Sequence, residues 1–210
     1  MPGKILLLST AYLPPVGYIA SIARYSEVKI ELNETYLKQS YRNRCIIAGA
    51  NGLQSLSVPV LRGSFHKTPV DEVLIDYSRR WGPDHIRSLI SAYSNAPYFD
   101  FYSGEFFEII SSGEPLLVNL NMKLLKLTLE TLGIKTDISF TGSFVKPEIS
   151  DSDLRYSISP KSNNPYRREI EFKPYPQLFS DRYGFKPDIS IIDLIFNMGP
   201  ESLPYLKSLY

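Results

Sequence analysis

The stretch KILLLSTAYLPPVGYIASIA, residues 4–23, changes its period halfway, and that change decides the fold. Ile5, Leu6, Leu7 and Leu8 form a continuous apolar run. It is too short for a secretory segment or a spanning helix and is read as a buried strand over 4–8. Pro14-Pro15 then stops extension where proline is best tolerated, at the first turn of a helix. Val16, Ile19, Ile22 and Ala23 supply the three-and-four spacing of that helix's buried face.

Further along, residues 28–32 read as a second strand. Residues 44–48 and 54–58 flank Gly49-Ala50-Asn51-Gly52, and the Asn-Gly pair signals a hairpin because both residues accept positive φ. A short strand is expected at 73–75. The period then becomes helical. Ile86, Leu89, Ile90 and Tyr93 form one face after Pro83-Asp84, and Leu116, Leu120, Leu124 and Leu127 form another between Pro115 and Gly133. A third helix over 101–110 lies between them, and a strand over 136–140 follows. Residues 146–176, proline-rich and carrying Arg167-Arg168, read as loop. Ile189, Ile192, Ile195 and Phe196 make a last helix ended by Gly199-Pro200. Ser190 and Asp193 are expected to form a capping box at its start. This order predicts an α/β fold, a single domain over 1–210 in which helices pack against a mixed β-sheet.

Composition narrows the function. Among 210 residues, 23 basic and 22 acidic side chains leave a net charge of +1, which supplies no broad positive field for nucleic acid or anionic lipid. No nucleic-acid partner and no membrane are therefore expected. Cys45 is the one cysteine, so no internal disulfide forms, and a cytoplasmic location is the simplest expectation. The two histidines lie far apart, which excludes a metal-ligand spacing. The chain has 15 Tyr and 11 Phe against one Trp, a composition suited to ligand clefts and interfaces as well as to ordinary packing.

Three places carry candidate chemistry. Residues 10–18 join a strand to a helix, where open α/β sheets bind ligands, so Tyr12, Gly17 and Tyr18 are pocket candidates unless the segment only shapes a tight turn. It lacks the GxxxxGK[ST] and GxGxxG patterns, and the cofactor, if any, is unknown. Residues 36–44 concentrate Lys38, Arg42 and Arg44 beside Tyr36 and Tyr41. On an extended segment Arg42 and Arg44 would share a face and clamp a small phosphate- or carboxylate-bearing ligand, or else form a solvated basic edge. His85, on the flank of its helix's apolar face, is read as a general base or as a hydrogen-bonded packing residue. His66 is a weaker candidate, and Cys45 is read as buried, because the adjacent Arg44 would point to the opposite face.

These segments together resemble the WbqC-like family. The matching residues are Tyr12-Leu13-Pro14, Gly17-Tyr18, Lys38, Asn43-Arg44, Ile46, Gly52, Ser57-Val58-Pro59-Val60, Trp81, His85 and Tyr93. They continue with Ala96-Pro97-Tyr98-Phe99, Leu132-Gly133-Ile134, Thr136, Tyr175, Gln177, Phe179, Ser190-Ile191-Ile192-Asp193, Phe196-Asn197 and Gly199. The chain departs from the family's usual pattern in having Thr10-Ala11 where Gln-Pro is usual, and in a shorter stretch over 137–168. The resemblance implies an uncharacterised protein of bacterial surface-polysaccharide biosynthesis, a transferase acting on a nucleotide-linked amino sugar. The implied roles are phosphate binding by Arg42 and Arg44 with Lys38 and Asn43, ring stacking by Tyr12 and Tyr18, and proton removal by His85. The alternative is a non-catalytic binding or scaffolding protein.

Overall fold

The computed structural model describes residues 5–61, 68–147, 152–161 and 170–210. Strand β1 (Ile5–Ser9) leads into helix α1 (Val16–Ile22), then strand β2 (Glu27–Glu31). The two strands pair in parallel, Leu6 with Val28 and Leu8 with Ile30, which is the βαβ unit that the opening stretch encodes. Leu6, Leu8, Val28 and Ile30 are fully buried. Every residue of α1 is buried, as its lack of any charged side chain requires. Strand β5 (Asp137–Phe140) adds to the outer side of β2, also in parallel.

Strands β3 (Arg44–Gly49) and β4 (Gly52–Ser57) form the expected hairpin. Only Gly52 in its turn takes positive φ, 98°, so Asn51 does not use the left-handed freedom that the Asn-Gly signal suggested. Parallel and antiparallel pairing both occur, divided between a three-stranded sheet and this two-stranded one. Residues 73–75 do not form a strand; they make single bridges, Val60 to Ile75 and Leu74 to Leu116.

Helices α2 (Trp81–Tyr93), α3 (Phe99–Ile110) and α4 (Leu117–Leu132) follow, and Gly133 closes α4 with φ 67°. After the short α5 (Ser180–Tyr183) come α6 (Ile191–Met198) and α7 (Ser202–Lys207). The Phe196 ring of α6 meets Tyr93, Phe99 and Phe106 edge-on, with centroids 5.7, 5.3 and 6.3 Å away, and so ties α6 to α2 and α3. Gly199 ends α6 at φ 50°, and a Cβ there would lie 2.5 Å from the Tyr98 ring. Gly199→Ala is therefore expected to cost about 1–3 kcal/mol through overpacking. Urea denaturation reads this directly, and an unchanged midpoint would contradict the packing described.

The described parts of 146–176 contain no helix or multi-residue strand. They are nonetheless built into the fold. The Leu7 amide donates to the Ser152 carbonyl at 2.7 Å and Leu154 donates back to Leu7 at 3.0 Å, so residues 152–154 run beside the free edge of β1. His66 and Arg167-Arg168 lie outside the described residues. Among the described residues, no helix is long and apolar enough to cross a membrane.

Candidate functional site

The parallel strands β1 and β2 end at Ser9 and Glu31, and polar groups gather beyond those ends. Residues 152–154, held along β1, deliver Arg155 onto the end of β2. Its guanidinium donates from Nε and Nη2 to the two Asp153 oxygens at 2.9 and 2.6 Å, and from Nη1 to Glu31 Oε2 at 3.1 Å and the Val145 carbonyl at 2.7 Å. Burial alone would push the Glu31 carboxyl up. The Val145 amide, the Thr141 hydroxyl, the Asn33 amide and Arg155 outweigh it and hold the group below its ordinary value.

Arg42 forms the second half. Its Nε donates to Glu34 Oε1 at 2.9 Å, and its Nη2 lies 2.6 Å from Glu34 Oε2 and 2.7 Å from Ser9 Oγ. Tyr156, half exposed, covers both cations, its ring centroid 5.7 Å from the Arg155 guanidinium and 6.0 Å from that of Arg42. Phe144, also half exposed, stands 5.9 Å from Arg155. Two guanidiniums thus face three carboxylates, Glu31, Glu34 and Asp153. Ser9, Thr10, Tyr18, Arg42 and Arg155 help to line a cavity of about 10 Å³ beside this network, room for one water molecule. The Thr10 hydroxyl is buried and has no hydrogen-bond partner among the described residues.

The sequence candidates fall in several settings. Tyr18 reaches the network and donates to the Ser9 carbonyl at 2.9 Å, and burial pushes its hydroxyl pKa up. Arg42 does not share a strand face with Arg44, because it sits in the turn before β3 and is already paired with Glu34. Arg44 is half-buried at the start of β3, its Nε without a hydrogen-bond partner, and Lys38 is exposed. Asn43 is buried and donates to the Val58 carbonyl at 2.8 Å, a bond that fastens the hairpin. The first turn of α1 is not an open anion site, since Gly17 N–H is taken by Asp188 Oδ1 at 2.9 Å.

Tyr12 and His85 meet elsewhere. Tyr12 Oη and His85 Nδ1 are 2.9 Å apart, and Trp81 packs against both rings. Burial pushes the imidazole down to about 4, against an opposing hydrogen bond to Ser57, so the ring is neutral at pH 7. Tyr12 is fully buried and His85 is 5% exposed, the setting of a packed, hydrogen-bonded pair. Cys45 is buried as expected, and burial raises its thiol pKa.

Asp193 does not cap α6. Ser190 Oγ donates to the Leu13 carbonyl at 2.9 Å instead, and the Asp193 carboxylate turns inward to accept from Tyr175 Oη at 2.7 Å and Gln177 Nε2 at 2.9 Å. Desolvation pushes this carboxyl up to about 6 despite those donors and the nearby Tyr93 hydroxyl. Sequence reasoning also missed Glu31, Glu34, Arg155 and Tyr156. A carboxylate at the last residue of a parallel strand was the available signal for Glu31. Nothing in the irregular stretch around Arg155 marked it as buried. Among the described residues, no group of three or more His, Cys, Asp and Glu side chains could hold a metal ion.

The fold and network define an α/β protein with a buried ion-pair cluster at the carboxyl ends of its parallel strands. The chain belongs to the WbqC-like protein family, whose model matches residues 10–167. It is similar to the uncharacterized protein Rv1507c of Mycobacterium tuberculosis, 28% identical over 236 aligned positions that cover 97% of each chain. No solved structure matches it.

Proposed function

We propose that this chain binds an amino sugar carried on a nucleotide at the carboxyl ends of β1 and β2, and transfers an acyl or aminoacyl group to it in surface-polysaccharide biosynthesis. The supporting observation is the cavity that Thr10 helps to line beside the Arg42 and Arg155 network, together with the buried Thr10 hydroxyl, which bonds to no group among the described residues. A polar group left without a partner costs about 1–3 kcal/mol, and a ligand hydroxyl or amine would recover it. Three carboxylates against two guanidiniums suit the amino-sugar end of such a ligand better than a bare phosphate. Tyr156 and Phe144, half-exposed beside the guanidiniums, offer rings for a sugar or base. At about 10 Å³ the cavity is too small for a sugar, so entry requires its lining residues, Leu154 and Ile158 among them, to move apart.

The paired state of both arginines favours a second reading, a non-catalytic binding protein whose network is a structural clamp. Phe101, 80% exposed on α3, is the kind of side chain that a partner would cover. Incubation with a panel of nucleotide-linked amino sugars and acyl or aminoacyl donors, followed by mass spectrometry, separates the readings. A mass increase matching the transferred group supports the transferase. Absence of product from every pair would remove that reading and leave the binder.

A further inference from the structure

Among the described residues, strand β5 is an uncovered edge. Asp137 N–H donates to the Ser26 carbonyl and Thr141 N–H to that of Ile30, so residues 137, 139 and 141 turn their backbone groups toward β2. By the alternation of a strand, Ile138 and Phe140 turn theirs to the free edge. Beside that edge runs a groove of about 500 Å³, lined by α4 residues including Leu125, Leu129 and Lys126 and by Ile138 and Phe140. Phe140 is 50% exposed there. An unpaired edge next to an apolar groove is a template for strand addition.

We propose that a second copy of this chain occupies the edge, with β5 pairing antiparallel to its own counterpart about a two-fold axis through Ser139. Such pairing is self-complementary at three levels. The outward backbone groups of Ile138 meet those of Phe140 in the other copy, and the two apolar side chains lie directly opposite over the groove. Ser139 falls opposite Ser139, in a non-hydrogen-bonded pair where the two side chains stand close. The two-fold also reverses α4, so the exposed Lys126 and Glu130 on the groove's rim, 3.8 Å apart within one copy, run in the opposite order in the other copy, a charge complementarity between the two rims. The result is a continuous six-stranded sheet. This inference is independent of whether the chain is catalytic.

Sedimentation across a dilution series is expected to give a species of twice 23.9 kDa that dissociates on dilution. Phe140→Lys, which sets a charge against Ile138 of the other copy, is expected to give monomer at every concentration. Ser139→Cys is expected to form a disulfide-linked dimer under mild oxidation. Asp137→Cys, off the axis, should not, and buried Cys45 should leave the parent uncrosslinked. Should Phe140→Lys fail to fold, hydrogen exchange on the parent decides: the Ile138 and Phe140 amides must slow as concentration rises. A parent that stays monomeric throughout, or equal crosslinking of both cysteine variants, would overturn the proposal.

Discussion

Arg155→Met is expected to lower stability by about 3–5 kcal/mol, the usual cost of removing one partner from a buried ion pair. Arg155 and Glu31 side chains are fully buried, and Asp153 nearly so. Without the guanidinium, two largely buried carboxylates lose their cation. Methionine fills part of the volume but returns none of the four donated hydrogen bonds. For a chain of this size the loss corresponds to a melting temperature lower by roughly 6–20 °C. The exposed pair Arg87–Asp84 gives the contrast, because solvent screens it and Arg87→Ala should move stability by less than about 0.5 kcal/mol. Adding Glu31→Gln to Arg155→Met should restore part of the loss by removing one stranded charge. Equal effects of Arg155→Met and Arg87→Ala would show that the network is not the anchor described.

Asp193→Asn is expected to change how stability depends on pH. The Asp193 carboxyl titrates at about 6 when folded, against 3.8 for an unperturbed aspartate. Between those values the folded chain keeps a proton that the unfolded chain has released. Raising the pH through this window therefore removes stability, about 3 kcal/mol in all, and above pH 6 the loss is complete. Asparagine offers the same carbonyl acceptor to Tyr175 and Gln177 without a charge to desolvate. Relative to the parent, the variant should gain about 3 kcal/mol between pH 4 and pH 7. Denaturant midpoints at several pH values measure this, and parallel curves would contradict it. The parent's other carboxylates, Glu31 among them, cancel in the comparison.

Elements with strong periodicity were legible in the sequence, and the site largely was not. The strand–proline–helix order of residues 4–23, the Gly133 stop and the hairpin around Gly52 all follow from local chemistry. Which polar side chains meet does not. Arg42 looked like part of a basic edge because Lys38 and Arg44 are its neighbours along the chain. Its actual partner, Glu34, is eight residues away and reaches it only once the turn before β3 forms. Arg155 meets Glu31 across 124 positions, through a segment with no periodic signal of its own. The motif Ser190-x-x-Asp193 fits a capping box locally, but Tyr175 and Gln177 win the carboxylate because they approach from the interior. His85 carried two readings from sequence, and what local pattern could not show is that it is buried and 2.9 Å from Tyr12 Oη.

Thr10→Val tests the proposed ligand site most directly. The Thr10 hydroxyl has no partner among the described residues, so replacing it with a methyl of the same shape should raise stability by up to about 1–3 kcal/mol without ligand. Nucleoside-diphosphate amino sugars at about 100 times their dissociation constant should stabilise the parent by about 2.7 kcal/mol, a shift of roughly 5–10 °C. Thermal unfolding of both proteins with and without these compounds is the measurement. The account predicts a shift for the parent and a clearly smaller one in Thr10→Val at the same ligand concentration. No shift in the parent with any compound, or a full shift retained by the variant, would contradict it.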